Sequence, residues 1–181
     1  DKNKIIDGSN IKKDDVIIGI ESSGVHSNGY SLVRKLVIDD KYRLNEYYDC
    51  LGCTVGEELI KPTRIYTKCV MDILKKYPIN GIAHITGGGF IENIPRVLPK
   101  GLQAKIYIGS WPIHPIFPML QEWGNIKEKD MYNTFNMGIG LVMVCRPEIV
   151  KDVTACSENL GFPVHIIGKV VNGDEGVVLC Q

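Results

Sequence analysis

The sequence predicts an α+β fold, a mixed β-sheet with helices packed on it, and three observations carry that prediction. Runs such as Val16-Ile17-Ile18-Gly19-Ile20 and Leu141-Val142-Met143-Val144-Cys145 stay apolar over strand length, the pattern of a strand covered on both faces. Leu32, Val33, Leu36 and Val37 recur at helical spacing. Strand-like and helix-like segments alternate along the chain, so a sheet carrying helices follows.

A length of 181 residues fits one domain with enough interior for a sizeable core. Lysine plus arginine and aspartate plus glutamate both count 21, so the formal charge is zero, and the charges are scattered. No basic surface advertises nucleic acid. No apolar run approaches the roughly 18 to 20 residues that span a bilayer. The start Asp1-Lys2-Asn3-Lys4 lacks a signal-peptide pattern, so no membrane partner is expected and cytoplasm is the expected location. The cysteines at 50, 53, 69, 145, 156 and 180 are even in number, but a domain of this length does not need disulfide staples. Cys69 and Cys145 sit in apolar patterns, where free cysteine acts as a small hydrophobe. Cys50 and Cys53 have zinc-knuckle spacing without a second pair, so no metal site is assigned.

In chain order, residues 1–15 are polar, turn at Asp7-Gly8-Ser9-Asn10, and read as a linker from a missing N-terminal domain, leaving 16–181 as the folded unit. The strand at Val16 ends in the small polar junction from Glu21 to Tyr30, where Ser27 or Asn28 is the expected helix cap. Asp39 to Thr54 reads as a loop or frayed helix. Gly56 to Lys61 is a brief helix halted by Pro62, and a further helix runs from Thr67 to Tyr77. Leu102 to Ile108 alternates as a half-exposed strand. Trp111 to Pro118 holds three prolines and is expected to be extended, with a helix over Met119 to Trp123. Asn133 to Gly140 is a polar lead into the strand at Leu141. Pro147 opens a helix that closes at Gly161, and strands at 163–171 and 176–179 end the chain.

The most informative stretch is Gly81-Ile82-Ala83-His84-Ile85-Thr86-Gly87-Gly88-Gly89-Phe90-Ile91-Glu92-Asn93-Ile94-Pro95-Arg96. It changes at Thr86 from buried strand to glycine turn. Glycines leave no side chain between main chain and ligand, so Thr86, Gly87, Gly88 and Gly89 can aim several N–H groups at one phosphate or carboxylate. Pro95 forbids a long helix, which predicts a short turn at Gly89 to Asn93 and a second helical start at Pro95. His26, in the loop after the first strand, is the residue suited to donating or carrying a proton near neutral pH. Ser27, Asn28 and Asn93 are polar neighbours of these loops. Asn136 either lines a cleft or caps its turn, and Arg64 either reaches an anion or, as the sequence alone favours, pairs with a nearby carboxylate. His114, between prolines, and His165, in a strand, carry no assigned chemistry.

Four motifs then converge. They are Ser22-Ser23-Gly24-Val25-His26-Ser27-Asn28-Gly29-Tyr30, Pro62-Thr63-Arg64-Ile65-Tyr66, His84-Ile85-Thr86-Gly87-Gly88-Gly89 with Glu92-Asn93-Ile94-Pro95-Arg96, and Thr134-Phe135-Asn136-Met137-Gly138-Ile139-Gly140. Together and in this order they resemble the phosphoribosylformylglycinamidine cyclo-ligases, also called aminoimidazole ribonucleotide synthetases, over their C-terminal half. Asn133 departs from the resemblance, which leads one to expect a basic residue before Thr134. The resemblance implies an ATP-dependent closure of the imidazole ring in purine biosynthesis, with formylglycinamidine ribonucleotide as the phosphorylated substrate. It implies that ATP and Mg2+ bind mainly to an N-terminal domain of the same enzyme, and that the full-length protein is a homodimer. It also implies that Thr86 to Gly89 hold the substrate phosphate, that His26 and Asn28 face the reacting groups, and that Ser27, Arg64, Asn93 and Asn136 are further cleft residues. Formylglycinamidine ribonucleotide synthase, thiamine-monophosphate kinase and selenophosphate synthetase resemble the same architecture. As an isolated fragment, the chain would be a noncatalytic phosphate-binding or assembly module.

Overall fold

Strand β1 (Val16–Glu21) forms from the first apolar run and lies inside a six-stranded sheet. The computed structural model describes residues 5–37, 43–174 and 176–181. The other strands of that sheet are β4 (Gly81–His84), β5 (Leu102–Tyr107), β6 (Ile139–Cys145), β7 (Val164–Asn172) and β8 (Gly176–Cys180), in the spatial order β4-β6-β1-β7-β5-β8. Neighbours pair antiparallel except β5 with β8, so the sheet is mixed as expected. A separate hairpin joins β2 (Tyr47–Tyr48) to β3 (Cys53–Thr54).

Both faces of the sheet are covered, which explains why β6 is buried at every position. On one face, Ile17, Val142 and Val144 join Val33 of α1 (Tyr30–Val37), Phe90 of α4 (Gly89–Asn93), Phe117 of α5 (Ile116–Gly124) and Tyr132 of α6 (Glu128–Thr134). On the other, Ile18, Leu141 and Met143 pack with Cys69 and Ile73 of α3 (Thr67–Leu74) and Val153 of α7 (Val150–Asn159). The helix α2 (Val55–Leu59) is fixed by a capping box in which Thr54 Oγ1 accepts from Glu57 N–H while the Glu57 carboxylate accepts from Thr54 N–H.

The register of β1 against β6 passes from Ile20 opposite Leu141 to Glu21 opposite Ile139, leaving Gly140 as an extra residue. Such a bulge re-aims the strand end, and here it lies beside the loop that follows β1. The cysteines are all free thiols, two of them, Cys69 and Cys145, buried as expected.

Several elements differ from the sequence reading. Residues 8–15 are docked rather than free. Ile11 is buried in the core, Asp14 N–H donates to Val170 O, and the buried Asp15 carboxylate accepts from Lys12 N–H and Asn80 Nδ2. Helix α5 begins at Ile116, so Pro118 lies inside it, in the first turn where its missing N–H breaks no helical bond. Helix α6 was not expected from the sequence, and β6 starts two residues early, at Ile139. Of the stretch 39–54, residues 39–42 lie outside the described residues, while a 3-10 turn and the β2–β3 hairpin occupy most of the rest. The turn at 89–93 and the second start at Pro95 match expectation: α4 is followed by a 3-10 turn, Pro95–Val97.

Candidate functional site

The loop from Ser22 to Gly29 is built around Asn136, whose side chain is fully buried. Asn136 Oδ1 accepts from Ser22 Oγ at 3.1 Å and from Gly138 N–H at 2.9 Å. Its Nδ2 donates to Gly24 O at 2.9 Å and Val25 O at 3.3 Å. An amide offers two donors and an acceptor oxygen, and all are engaged inside the protein. Asn136 therefore caps the turn from beneath and does not line its surface.

His26 sits on that loop with a left-handed φ of 58° and is only 5% exposed. Its Nε2 accepts from Ser23 N–H at 3.1 Å and Arg64 N–H at 3.4 Å. The neutral ring therefore carries its proton on Nδ1, which is buried without a hydrogen-bond partner. Burial, helped by the positive charge of His84, Arg64 and His114, pushes the His26 imidazolium down to about 4. His26 is thus an uncharged donor at neutral pH. Ser27 is exposed and meets Thr63 Oγ1 at 3.3 Å, and Ser23 Oγ donates to Pro62 O at 2.7 Å, so the 62–66 segment is strapped to the loop.

Asn28 brings the second candidate loop alongside the first. Its Nδ2 donates to Ile85 O at 3.3 Å, one residue before the glycine turn. Within that turn the buried Asn93 ties down the carbonyl side, donating from Nδ2 to Thr86 O, Gly87 O and Gly89 O, while its Oδ1 accepts from Thr86 Oγ1. Gly89 N–H closes the turn onto Thr86 O at 3.0 Å. No group among the described residues accepts from the N–H of Gly87 or Gly88. The glycines also differ in kind. A Cβ on Gly89 would lie 2.1 Å from Tyr132 O, so this glycine lets α4 approach α6. Gly88 has a φ of 89° and the Glu92 carboxylate beside it. Gly87 is exposed, and a Cβ there would meet nothing within 4 Å.

Arg64 corrects an expectation. No carboxylate lies within ion-pair distance of it among the described residues, its guanidinium lies 5.7 Å from the Phe162 ring, and its Nη1 is buried with no acceptor. Tyr66 donates from its hydroxyl to Glu21 O at 2.8 Å and occupies the space over the bulged Gly140, where a Cβ would lie 2.0 Å from the phenol oxygen. Burial holds its phenol above the ordinary range. His84, whose ring stands 6.0 Å from that of Tyr66, and His114, whose Nε2–H donates to Ser22 O at 3.1 Å, complete a set of three histidines that spacing alone does not group. Their sequence separations of 58 and 30 residues are bridged only by the fold. His165 instead pairs with Glu21 Oε1 at 2.7 Å, within the β1–β7 ladder.

The chain is 54% identical over 180 residues to a phosphoribosylformylglycinamidine cyclo-ligase of Acetivibrio thermocellus, covering 99% of this chain and 53% of that protein. It is 54% identical over 174 residues to the protein of the same name in Bacillus cereus, covering 96% of this chain and 50% of that one. It therefore spans about half the length of these relatives. Among solved structures, thiamine-monophosphate kinase from Stenotrophomonas maltophilia superposes with a TM-score of 0.65 at 14% identity, over 98% of this chain and 54% of that one, a likeness of fold. Residues 12–181 match the family described as "AIR synthase related protein, C-terminal domain", and to that family the chain belongs.

Proposed function

We propose that this chain is the C-terminal half of a phosphoribosylformylglycinamidine cyclo-ligase, converting formylglycinamidine ribonucleotide and ATP to aminoimidazole ribonucleotide, ADP and phosphate. The observation that carries the reading is 54% identity along 99% of the chain to a relative of that name. In this reaction ATP phosphorylates the formamide oxygen, a nitrogen of the same molecule attacks the activated carbon, and phosphate leaves. Phosphoryl transfer of this kind is catalysed mainly by positioning and charge stabilisation.

The glycine turn holds the substrate's 5′-phosphate in this reading. Asn93 fixes the turn's carbonyls inward, and the N–H groups of Gly87 and Gly88 have no acceptor among the described residues. Thr86 and Gly89 shape the turn through the Asn93 and Tyr132 contacts. Asn28 holds the His26 loop beside it, so in this reading the two loops address the two ends of one substrate. His26 acts as a neutral donor towards the amidine or the transferred phosphoryl group, and Ser27 and Arg64 border it. No three His, Cys, Asp or Glu side chains converge to hold a metal among the described residues. In this reading the Mg2+ and most contacts to ATP belong to an N-terminal half, and the complete enzyme is a cytoplasmic homodimer.

Gly87→Ala in the full-length enzyme tests the phosphate assignment. The added methyl meets no protein atom, so the fold should persist, while the methyl intrudes on the open space before the turn's N–H groups and should lower calorimetric affinity for formylglycinamidine ribonucleotide at least about tenfold. Unchanged affinity would remove the glycine turn from the phosphate site.

A further inference from the structure

Between the start of α3 and the edge strand β4 lies a cavity of about 420 Å³, whose wall includes Arg64, Tyr66, Thr67, Ile82, His84 and Leu141. Apart from Arg64, which borders His26, no wall residue named here has a part in the proposed ring closure. Its lining holds the Arg64 guanidinium and the His84 ring but no acidic side chain. Arg64 Nη1 is buried with no hydrogen-bond partner, and among the described residues no carboxylate lies within ion-pair distance of the guanidinium. His84 contributes a second ring donor from the end of β4. Helix α3 opens onto the same space with no side chain capping its N-terminal N–H groups at Tyr66. Burying an unpaired guanidinium N–H is costly. An oxyanion at this end of the cavity would supply the countercharge that the lining residues lack.

We propose that this cavity is an oxyanion site for inorganic phosphate or a phosphate monoester, gripped by Arg64 and His84 and distinct from the glycine turn. Arg64 supplies the planar fork that matches a phosphate. The apolar walls at Ile82 and Leu141 leave room for the organic part of an ester. The site is tied to the candidate reaction loop through one bond, because the Arg64 main-chain N–H donates to His26 Nε2. An occupant there would also offset the positive charge that helps to keep the buried His26 ring neutral.

The test is a titration of the chain with inorganic phosphate, read by two-dimensional NMR of the histidine ring nitrogens. Saturable movement of the His84 ring signals is expected. Arg64→Gln, which keeps the side chain's length beside Phe162, should weaken that saturation about tenfold or more. In His84→Gln, an exposed substitution, the His26 ring becomes the reporter and should show the same weakening. Gly87→Ala should leave the His84 response intact, which separates this site from the glycine turn. No saturable movement of His84, or saturation unchanged in Arg64→Gln, would overturn the site.

Discussion

His26 occupies a backbone conformation that few side chains accept, and its ring is held by two main-chain donors, one of them 38 residues away. Both facts fix its chemistry. A histidine whose folded-state affinity for protons is pushed down to about 4 stays neutral while the unfolded chain begins to bind protons near 6.5. The unfolded state therefore binds more protons between those values, and stability falls as pH is lowered through that window and levels out below it. The span is on the order of 2 to 3 kcal/mol. His26→Asn, a residue that tolerates positive φ, removes the titration without straining the loop. Urea denaturation from pH 7 to pH 4 should show a shallower fall for His26→Asn than for the parent. Equal falls would mean that the His26 ring is not buried neutral. The sequence located this histidine at a strand end, but its acceptor role depends on Arg64 N–H and its electrostatics on His84 and His114, partners brought near only by folding. Arg64 is similar: of an anion or a nearby carboxylate the sequence favoured the carboxylate, and among the described residues none lies within ion-pair distance.

The turn over Thr86 to Asn93 is the element whose shape was most legible, because Pro95 and three glycines leave few conformations open. Less legible was what holds it, since Asn93 looked like one polar residue among several. In the folded chain Asn93 is 4% exposed and satisfies three carbonyls at once. Asn93→Ala would leave those acceptors unpaired under a buried face, and should cost about 3 kcal/mol while loosening the turn. Gly89→Ala should cost a similar amount for a different reason, a Cβ driven to 2.1 Å from Tyr132 O at a φ of 53°. Thermal denaturation should place both well below Gly87→Ala, which meets open space, and equal melting temperatures for all three would refute this division of roles. Helix α6 escaped sequence reading because Met131, Tyr132 and Phe135 are too few to establish a helical stripe across seven residues. Its existence rests on packing against α4. Glu128 and Asp130 in its first turn only favour the end at which it starts.

At the scale of the whole molecule, the apolar runs at β1 and β6 implied a sheet covered twice, and the packing realises this as two separate clusters that meet only through the sheet. What the runs could not convey is strand order, because pairing of β1 with both β6 and β7 joins segments more than a hundred residues apart. That arrangement makes β1 the shared wall: Ile17 faces the cluster containing Trp111, while Ile18 faces the one formed with α3 and α7. If the sheet couples the two clusters, damage to either must lower one common transition. Ile18→Ala empties part of a fully buried site and should cost about 3 kcal/mol. Tryptophan fluorescence reports chiefly on the opposite cluster, where Trp111 is buried against Phe90 and Tyr132. The fluorescence midpoint in urea should therefore shift by the same amount as the circular-dichroism midpoint, although Ile18 and Trp111 lie on different faces. A fluorescence midpoint that stays at the parent value while the dichroism midpoint falls would mean that the faces unfold independently. In that case β1 would separate the two clusters and would not couple them.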